Sequence, residues 1–238
     1  MVLTIGLLGG MSWESTVPYY RTVNEVVKAR LGGLHSAKVA LLSVDFAEIE
    51  RLQHAGDWAA AGELLAGSAR ALEAAGADFV VLCTNTMHKV ADAIEAAVGI
   101  PLLHIADPTA AAIRAAGLRT VGLLGTRFTM EQDFYVGRLE GRHGLAVLTP
   151  PAEDRTLVHR VIYDELVLGR TLEPSRAAFR RVIEDLVARG AEGVILGCTE
   201  ISLLVGPEDA RGPLFDTTAI HATAAAERAI EGRSALDG

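Results

Sequence analysis

The sequence has little of what would assign it to several special classes of protein. It has only two cysteines in 238 residues, too few for a secreted domain held together by disulfides, and aromatic residues make up only 5%. No apolar run reaches the roughly 18 residues needed to cross a bilayer, and no basic segment precedes the short apolar stretch that starts at Val2. We therefore expect a cytoplasmic protein without a membrane partner, whose cysteines are free thiols.

An excess of positive charge is also missing. The 22 lysines and arginines stand against 30 acidic residues, which gives a net charge of −8 and argues against a nucleic-acid partner. The seven histidines and two cysteines show neither His-x-x-x-His nor Cys-x-x-Cys spacing, so we predict no metal. The glycines after the first apolar run do not form Gly-x-Gly-x-x-Gly, which excludes a dinucleotide site of that type. A small molecule remains as the expected partner.

What the sequence does contain is an internal duplication. The segment GADFVVLCTNT, which includes Cys83, matches GAEGVILGCTE, which includes Cys198, and the two cysteines are 115 positions apart. TIGLLGGM at Thr4 matches TVGLLGTRFTM at Thr120 at an offset of 116, and IPLLHIADPTAAAIRAA matches GPLFDTTAIHATAAA at an offset of 112. The period is too long for a solenoid repeat, so the matches predict two copies of one unit of half-protein size.

In each half, short apolar runs alternate with helix-like segments, which predicts an α/β fold with parallel sheets. The predicted strands are Thr4–Leu8, Lys38–Val44, Phe79–Leu82, Leu102–Ile105, Thr120–Leu124, Leu145–Leu148, Gly193–Leu196 and Leu214–Phe215. The predicted helices include Val17–Arg30, Trp58–Ala75, Met87–Ala97, Pro108–Ala116, Thr129–Arg142, Glu153–Leu168, Pro174–Arg189 and Thr218–Ile230. We predict two α/β lobes related by pseudo-twofold symmetry, residues 1–98 plus 209–238 and residues 99–208, with the active site in the cleft between them.

The two cysteines stand where chemistry is expected in such a fold. Each follows a predicted strand, and ligands gather at the carboxyl ends of parallel strands. Each also precedes Ser, Thr or Asn residues at a predicted helix start, which would favour the thiolate and lower the thiol pKa. A lone cysteine after a strand is often only a small apolar core residue. Two in matched positions instead predict a base facing an acid, as inversion at a carbon atom requires.

Three motifs carry a resemblance to a known family. The segments GLLGGMSWEST, LCTNTMH and GCTEI resemble the aspartate/glutamate racemase superfamily, in order and over essentially the whole chain. The nearest likeness is to the amino-acid racemase branch, which includes broad-specificity members. The resemblance implies an enzyme without pyridoxal phosphate or metal, an amino-acid substrate and a homodimer. It also implies that Cys83 and Cys198 carry the protons.

The same resemblance implies that small polar groups and backbone amides at the strand ends bind the substrate. The matching positions are Gly10, Met11, Ser12, Thr84, Asn85, Thr86, Thr126 and Thr199, and we add Glu200 and Asp45 to the predicted set. Backbone N–H groups in a glycine-rich turn suit a carboxylate.

Departures from the family pattern bear on specificity. Glutamate racemases of cell-wall synthesis resemble GCTHYP at the second cysteine, whereas Glu200 replaces that histidine here, and they carry an acidic residue where this chain has Gly10 and Met11. No Arg or Lys lies inside the strand-end motifs; the nearest are Lys89 and Arg127. If Asp45 and the nearby Glu48 face the substrate, they disfavour a second carboxylate on it. We therefore expect broad or non-acidic specificity.

Two alternatives stay open. One is an enzyme like a maleate isomerase or a hydantoin racemase, although the motifs match the amino-acid branch more closely. The other is a non-catalytic sensor that binds an amino acid, for which neither thiol would be needed. We interpret His88 as a packing or solvated histidine and Arg176–Arg189 as a solvated helix face.

Overall fold

The structure, a computed structural model, describes residues 2–234, which form an α/β protein with two four-stranded parallel sheets. The first sheet contains β1 (Thr4–Gly9), β2 (Lys38–Ser43), β3 (Phe79–Leu82) and β4 (Leu102–Leu103). The second contains β5 (Thr120–Gly125), β6 (Ala146–Leu148), β7 (Gly193–Gly197) and β8 (Leu214–Asp216). The order β2-β1-β3-β4 in the first sheet is repeated as β6-β5-β7-β8 in the second. The predicted fold class and all eight predicted strands are confirmed.

Ten α-helices occur within residues 2–234. They are α1 (Trp13–Leu31), α2 (Phe46–Ala55), α3 (Trp58–Ala74), α4 (Ala91–Glu95), α5 (Ala106–Ala115), α6 (Arg127–Glu131), α7 (Val136–His143), α8 (Ala152–Asp164), α9 (Glu173–Ala188) and α10 (Thr217–Ser234). Shorter 3₁₀ helices cover Thr86–Val90, Leu166–Leu168, Ile201–Leu203 and Pro207–Asp209. No helix in this part of the chain has the length and apolar character that a membrane span requires.

The chain divides into two compact units. The first comprises the described residues up to Ile105 and those from His221 onward, and the second is Ala106–Ile220. This division differs from the predicted limits at 98/99 and 208/209. The reason is strand pairing, because β4 pairs with β3 in the first sheet and β8 pairs with β7 in the second.

In the first unit, both faces of the sheet are covered by apolar side chains, as its continuous apolar strands predict. Ile5 and Leu7 on one face pack with residues of α1 and α10, including Tyr19 and Ala222. On the other face, Leu8 belongs to a second buried cluster with residues of α2 and α3. The carboxyl ends of β1 and β3 are thereby fixed next to each other.

In the second unit, two arginines of α9 form ion pairs with a buried carboxylate. Its Arg176 and Arg180 both bind the buried carboxylate of Asp209, at 2.8 Å and 2.9 Å, and the N–H of Gly206 donates to the same carboxylate. Burial raises the pKa of Asp209, but the hydrogen bonds from Arg176, Gly206 and Arg180 outweigh it and lower that pKa overall. The side chains of Arg176 and Arg180 stay 30% and 41% exposed, so the face is solvated and in addition binds a buried carboxylate, which was not predicted.

Candidate functional site

In the turn between β1 and α1, the backbone lies very close to the chain that follows β2. Gly10 has φ of +93°, and a side chain there would overlap the backbone of Val44. Thr16 of α1 supports the turn, because its Oγ1 accepts the N–H of Gly10 at 2.9 Å and donates to the carbonyl of Ser12 at 3.0 Å. Met11 and Ser12 are buried within it.

Cys83 follows β3 directly and is fully buried. Its N–H donates to the carbonyl of Leu8 at 2.9 Å, and its Sγ lies 3.6 Å from the carbonyl oxygen of Val81. Burial raises the pKa of the Cys83 thiol far above its usual range. Burial therefore favours the thiol over the thiolate at this cysteine.

The loop after Cys83 is buried and leads into a 3₁₀ helix. Thr84, Asn85 and Thr86 are each at most 7% exposed, and the 3₁₀ helix Thr86–Val90 begins immediately after Asn85. The prediction of a pKa-lowering helix start is wrong. The chain after the cysteine forms the short 3₁₀ helix and continues directly into α4, and burial of the thiol is the cause that raises its pKa.

Asp45 stands at the carboxyl end of β2, and its carboxylate caps a helix. It is exposed, and its Oδ1 accepts the N–H of Ala47 at 3.1 Å at the start of α2. Glu48 is exposed in the first turn of the same helix. Both acidic groups thus stabilise the helix start locally.

The two cationic residues nearest the motifs differ in their surroundings. The ammonium of Lys89 lies 4.2 Å from the ring centroid of Trp58, a cation–π contact. Arg127 is exposed at the start of α6, and its backbone N–H donates to Nδ1 of His159 at 3.3 Å.

In the second unit, the ends of β5 and β7 approach each other closely. A Cβ on Gly125 would lie 2.8 Å from the carbonyl oxygen of Gly197, and a Cβ on Gly197 would lie 2.9 Å from that of Leu124. Thr126 then caps α6, because its Oγ1 accepts the N–H of Thr129 at 3.3 Å. The buried Thr126 thus occupies the place that Ser12 occupies before α1.

Cys198 follows β7 directly and is paired with a carboxylate. Its Sγ donates to Oε2 of Glu200 at 2.9 Å, and the hydroxyl of Thr199 donates to the same oxygen at 2.8 Å. Glu200 is 2% exposed. Burial, and then the negative charge of Glu200, raise the pKa of the Cys198 thiol well above its ordinary value. This thiol–carboxylate contact was not predicted; the only sequence signal for it is that the residues lie two apart.

The predicted site residues fall into two sets, one in each unit. At the ends of β1 and β3 in the first unit lie Gly10, Met11, Ser12, Cys83, Thr84, Asn85 and Thr86, with Asp45 at the end of β2. At the ends of β5 and β7 in the second unit lie Thr126, Cys198, Thr199 and Glu200. Across residues 2–234, no group of three or more His, Cys, Asp or Glu is arranged to hold a metal ion.

Comparison with known proteins gives consistent matches over most of the chain. The family model for Asp/Glu/hydantoin racemase matches residues 8–225. A broad-specificity amino-acid racemase of Bacillus subtilis strain 168 is 23% identical over 228 residues, which cover 90% of this chain and 93% of that protein.

Solved structures also match. A protein from Yersinia pestis, provisionally assigned as an Asp/Glu racemase, is 61% identical with a TM-score of 0.89, over 96% of this chain and 99% of that one. An aspartate racemase homologue from Pyrococcus horikoshii OT3 is 34% identical with a TM-score of 0.82, over 97% of this chain and 100% of that one.

Proposed function

Because the chain belongs to the Asp/Glu/hydantoin racemase family and is an amino-acid racemase, hence an isomerase, we propose that it racemises amino acids by direct proton transfer, with Cys83 and Cys198 as its two acid–base groups. The observation that carries this proposal is the repeated half-site. Each unit holds one cysteine directly after the strand in the third place of its sheet, β3 in one and β7 in the other. Thr84 and Thr199 follow the two cysteines.

Racemisation removes the α-proton from one face of the carbon and delivers a proton to the other face. One cysteine must act as a thiolate and the other as a thiol, and the roles exchange with the opposite enantiomer. One thiol has to lose its proton before turnover, and burial, which raises the pKa of both thiols, opposes that loss. Oε2 of Glu200, which accepts from Sγ of Cys198, supplies the place for that proton. We therefore assign Glu200 to proton transfer with Cys198.

The α-proton of an amino acid is weakly acidic, and the proposed reaction uses no cofactor as an electron sink. The developing negative charge then has to be stabilised by fixed hydrogen-bond donors in a site that excludes water. The buried strand-end residues supply such groups in the proposal. They are Gly10, Met11, Ser12, Thr84, Asn85 and Thr86 in the first unit, and Thr126 and Thr199 in the second.

The proposed specificity is broad and favours side chains without a second carboxylate. Asp45 and Glu48 place negative charge after β2, and the ammonium of Lys89 is already engaged with Trp58. The similarity to a broad-specificity racemase supports the breadth of this specificity. The chemistry also needs reduced thiols, which favours a cytoplasmic setting.

We also propose a homodimer formed through α1. Trp13, Val17 and Tyr20 are 63%, 46% and 53% exposed, and their spacing places them on one face of the helix. Two copies related by a twofold axis through the middle of this stripe would pack these three side chains of one helix against those of the antiparallel partner helix.

The direct test is a panel of L-amino acids incubated with the protein in D₂O, without pyridoxal phosphate and with a metal chelator. The panel includes the isosteric pairs glutamate with glutamine and aspartate with asparagine. We expect exchange of the α-proton and formation of the D-enantiomer, faster for the amide than for the acid in each pair. Absence of exchange with every amino acid would contradict the proposal, and a panel of maleate and hydantoins would then test the alternative isomerase reactions.

A further inference from the structure

His88 is a buried histidine whose ring joins two backbone groups. It is 2% exposed and lies in the 3₁₀ helix Thr86–Val90. Its Nδ1 is 2.7 Å from the carbonyl oxygen of Thr84, and its Nε2 is 3.1 Å from the backbone nitrogen of Ile105. A carbonyl only accepts and an N–H only donates, so the ring is neutral with its hydrogen on Nδ1.

The hydrogen bond from His88 to the carbonyl of Thr84 lies next to Cys83 in the chain. The N–H of Cys83 is held by the carbonyl of Leu8 in β1, and the carbonyl of the following residue, Thr84, is held by His88. Ile105 lies just after β4, the strand that pairs with β3. His88 therefore ties the end of the cysteine strand to the end of its neighbour and fixes the chain on the far side of Cys83.

His221 offers a comparison within the same unit. It is also fully buried; its Nε2 donates to the carbonyl of Leu103 at 2.8 Å, and its Nδ1 accepts from the hydroxyl of Tyr19 at 2.9 Å. The ring centroids of His88 and His221 are 6.0 Å apart. Both histidines thus bridge elements of one core, but these two bonds of His221 do not involve the loop after Cys83.

We propose that His88 is a positioning residue for Cys83. By holding the Thr84 carbonyl, it keeps the thiol in place for its share of the proton transfer. This inference rests on the proposed function and adds a residue to it that acts through Cys83, without contacting substrate. It replaces the interpretation of His88 as a packing or solvated histidine.

Two substitutions separate the bonds of His88. The side-chain amide of asparagine brings its N–H to about the position of Nδ1, whereas the longer glutamine brings its carbonyl oxygen to about that of Nε2. His88→Asn can therefore keep the bond to Thr84 and lose the bond to Ile105, and His88→Gln does the reverse. A histidine that only filled the core would leave the two variants equally impaired.

The experiment compares wild type, His88→Asn, His88→Gln and the matched control His221→Asn. For each protein, kcat and KM are measured on the amino acid that the panel identifies. Alkylation of Cys83 and Cys198 by iodoacetamide is measured on the substrate-free protein by peptide mass spectrometry. A buried thiol reacts only when its surroundings open, so a loosened loop speeds the alkylation of Cys83.

For His88→Gln we expect kcat to fall roughly tenfold with KM little changed, which is about the factor that one hydrogen bond represents. Alkylation of Cys83 should rise by a similar factor relative to Cys198. His88→Asn should keep both quantities near wild type, and His221→Asn should leave the ratio of the two alkylation rates unchanged. Equal loss in all three variants, with Cys83 and Cys198 alkylated in constant ratio, would overturn the inference.

A measurement on the wild type needs no variant to fold. The ¹⁵N chemical shifts of the His88 ring should report the neutral tautomer with hydrogen on Nδ1, and the other tautomer or a charged ring would overturn the inference. If no amino acid is racemised, the proposed function fails. The alkylation ratio and the tautomer would still decide the role of His88 at Cys83.

Discussion

At the scale of single residues, the two thiols differ in their hydrogen-bond partners. Sγ of Cys83 lies near a backbone carbonyl, whereas Sγ of Cys198 donates to the buried carboxylate of Glu200. The proposed mechanism treats both faces of the α-carbon alike, but the surroundings of the two thiols differ. The carboxylate both raises the pKa of its own thiol and offers that thiol a proton acceptor.

Replacing Glu200 with Gln separates these two effects. Without the negative charge, the raised pKa of Cys198 should fall, so alkylation of Cys198 at pH 8 should become faster while that of Cys83 stays the same. Racemisation should nevertheless slow, by on the order of 10²-fold, because the proton acceptor is gone. Peptide mass spectrometry and a D-amino-acid assay measure the two quantities.

Glu208→Gln is the matched control, since Glu208 is an exposed carboxylate eight residues further on that pairs with Arg176. It should change neither quantity. Unchanged racemisation in Glu200→Gln would show that Glu200 plays no part in proton transfer.

The positions of the thiols were predictable from sequence, but their environments were not. The repeat placed Cys83 and Cys198 correctly at the ends of apolar strands. The contact between Cys198 and Glu200 was not predicted, because the pattern of residues does not show where a side chain turns. The sign of the pKa shift was missed for a similar reason, since burial of each sulfur depends on the packing of residues far away in sequence.

At the scale of elements, strands were easier to predict than helices. Buried parallel strands are continuous apolar runs bounded by glycine or polar residues, and that pattern gave Phe79–Leu82 with its observed limits. Helix limits depended on local signals that were harder to read. The predicted helix Thr129–Arg142 divides into α6 and α7, and α2 was not predicted at all. The Asp45-x-x-Glu48 pattern of a helix start was a signal for α2.

The exposed stripe on α1 gives a prediction at this scale. Val17→Glu places a charge in the middle of the stripe, between Trp13 and Tyr20, and should convert the proposed dimer to a monomer because the charge would lose its water in the interface. Light scattering after gel filtration measures the mass. Leu168→Glu, at a residue 57% exposed in the second unit, is the control and should stay dimeric. A Val17→Glu protein of unchanged dimeric mass would exclude this face.

At the scale of the whole molecule, the repeat explains why the two compact units have limits that differ from the predicted ones. The third pair of matched segments begins at Ile100 and Gly212, and each of these two segments contains a strand followed by a helix. The strand stays with its own sheet, as β4 does in the first unit and β8 in the second. The helix that follows the strand belongs to the other unit. All of α5 lies in the second unit, and α10 lies in the first unit from His221 onward. Sequence similarity marks the segment but not the residue at which the chain passes between units.

The account depends most on two thiols acting on one α-carbon, and exchange in D₂O tests this directly. Cys83→Ser and Cys198→Ser are compared with wild type, starting from each pure enantiomer of the amino acid that the panel identifies. Each variant should lose racemisation by on the order of 10²- to 10⁴-fold. Any α-proton exchange that a variant retains should start only from the enantiomer that its remaining cysteine deprotonates, so the two variants should not retain exchange from the same enantiomer. Racemisation at the wild-type rate in either variant would contradict the two-thiol mechanism.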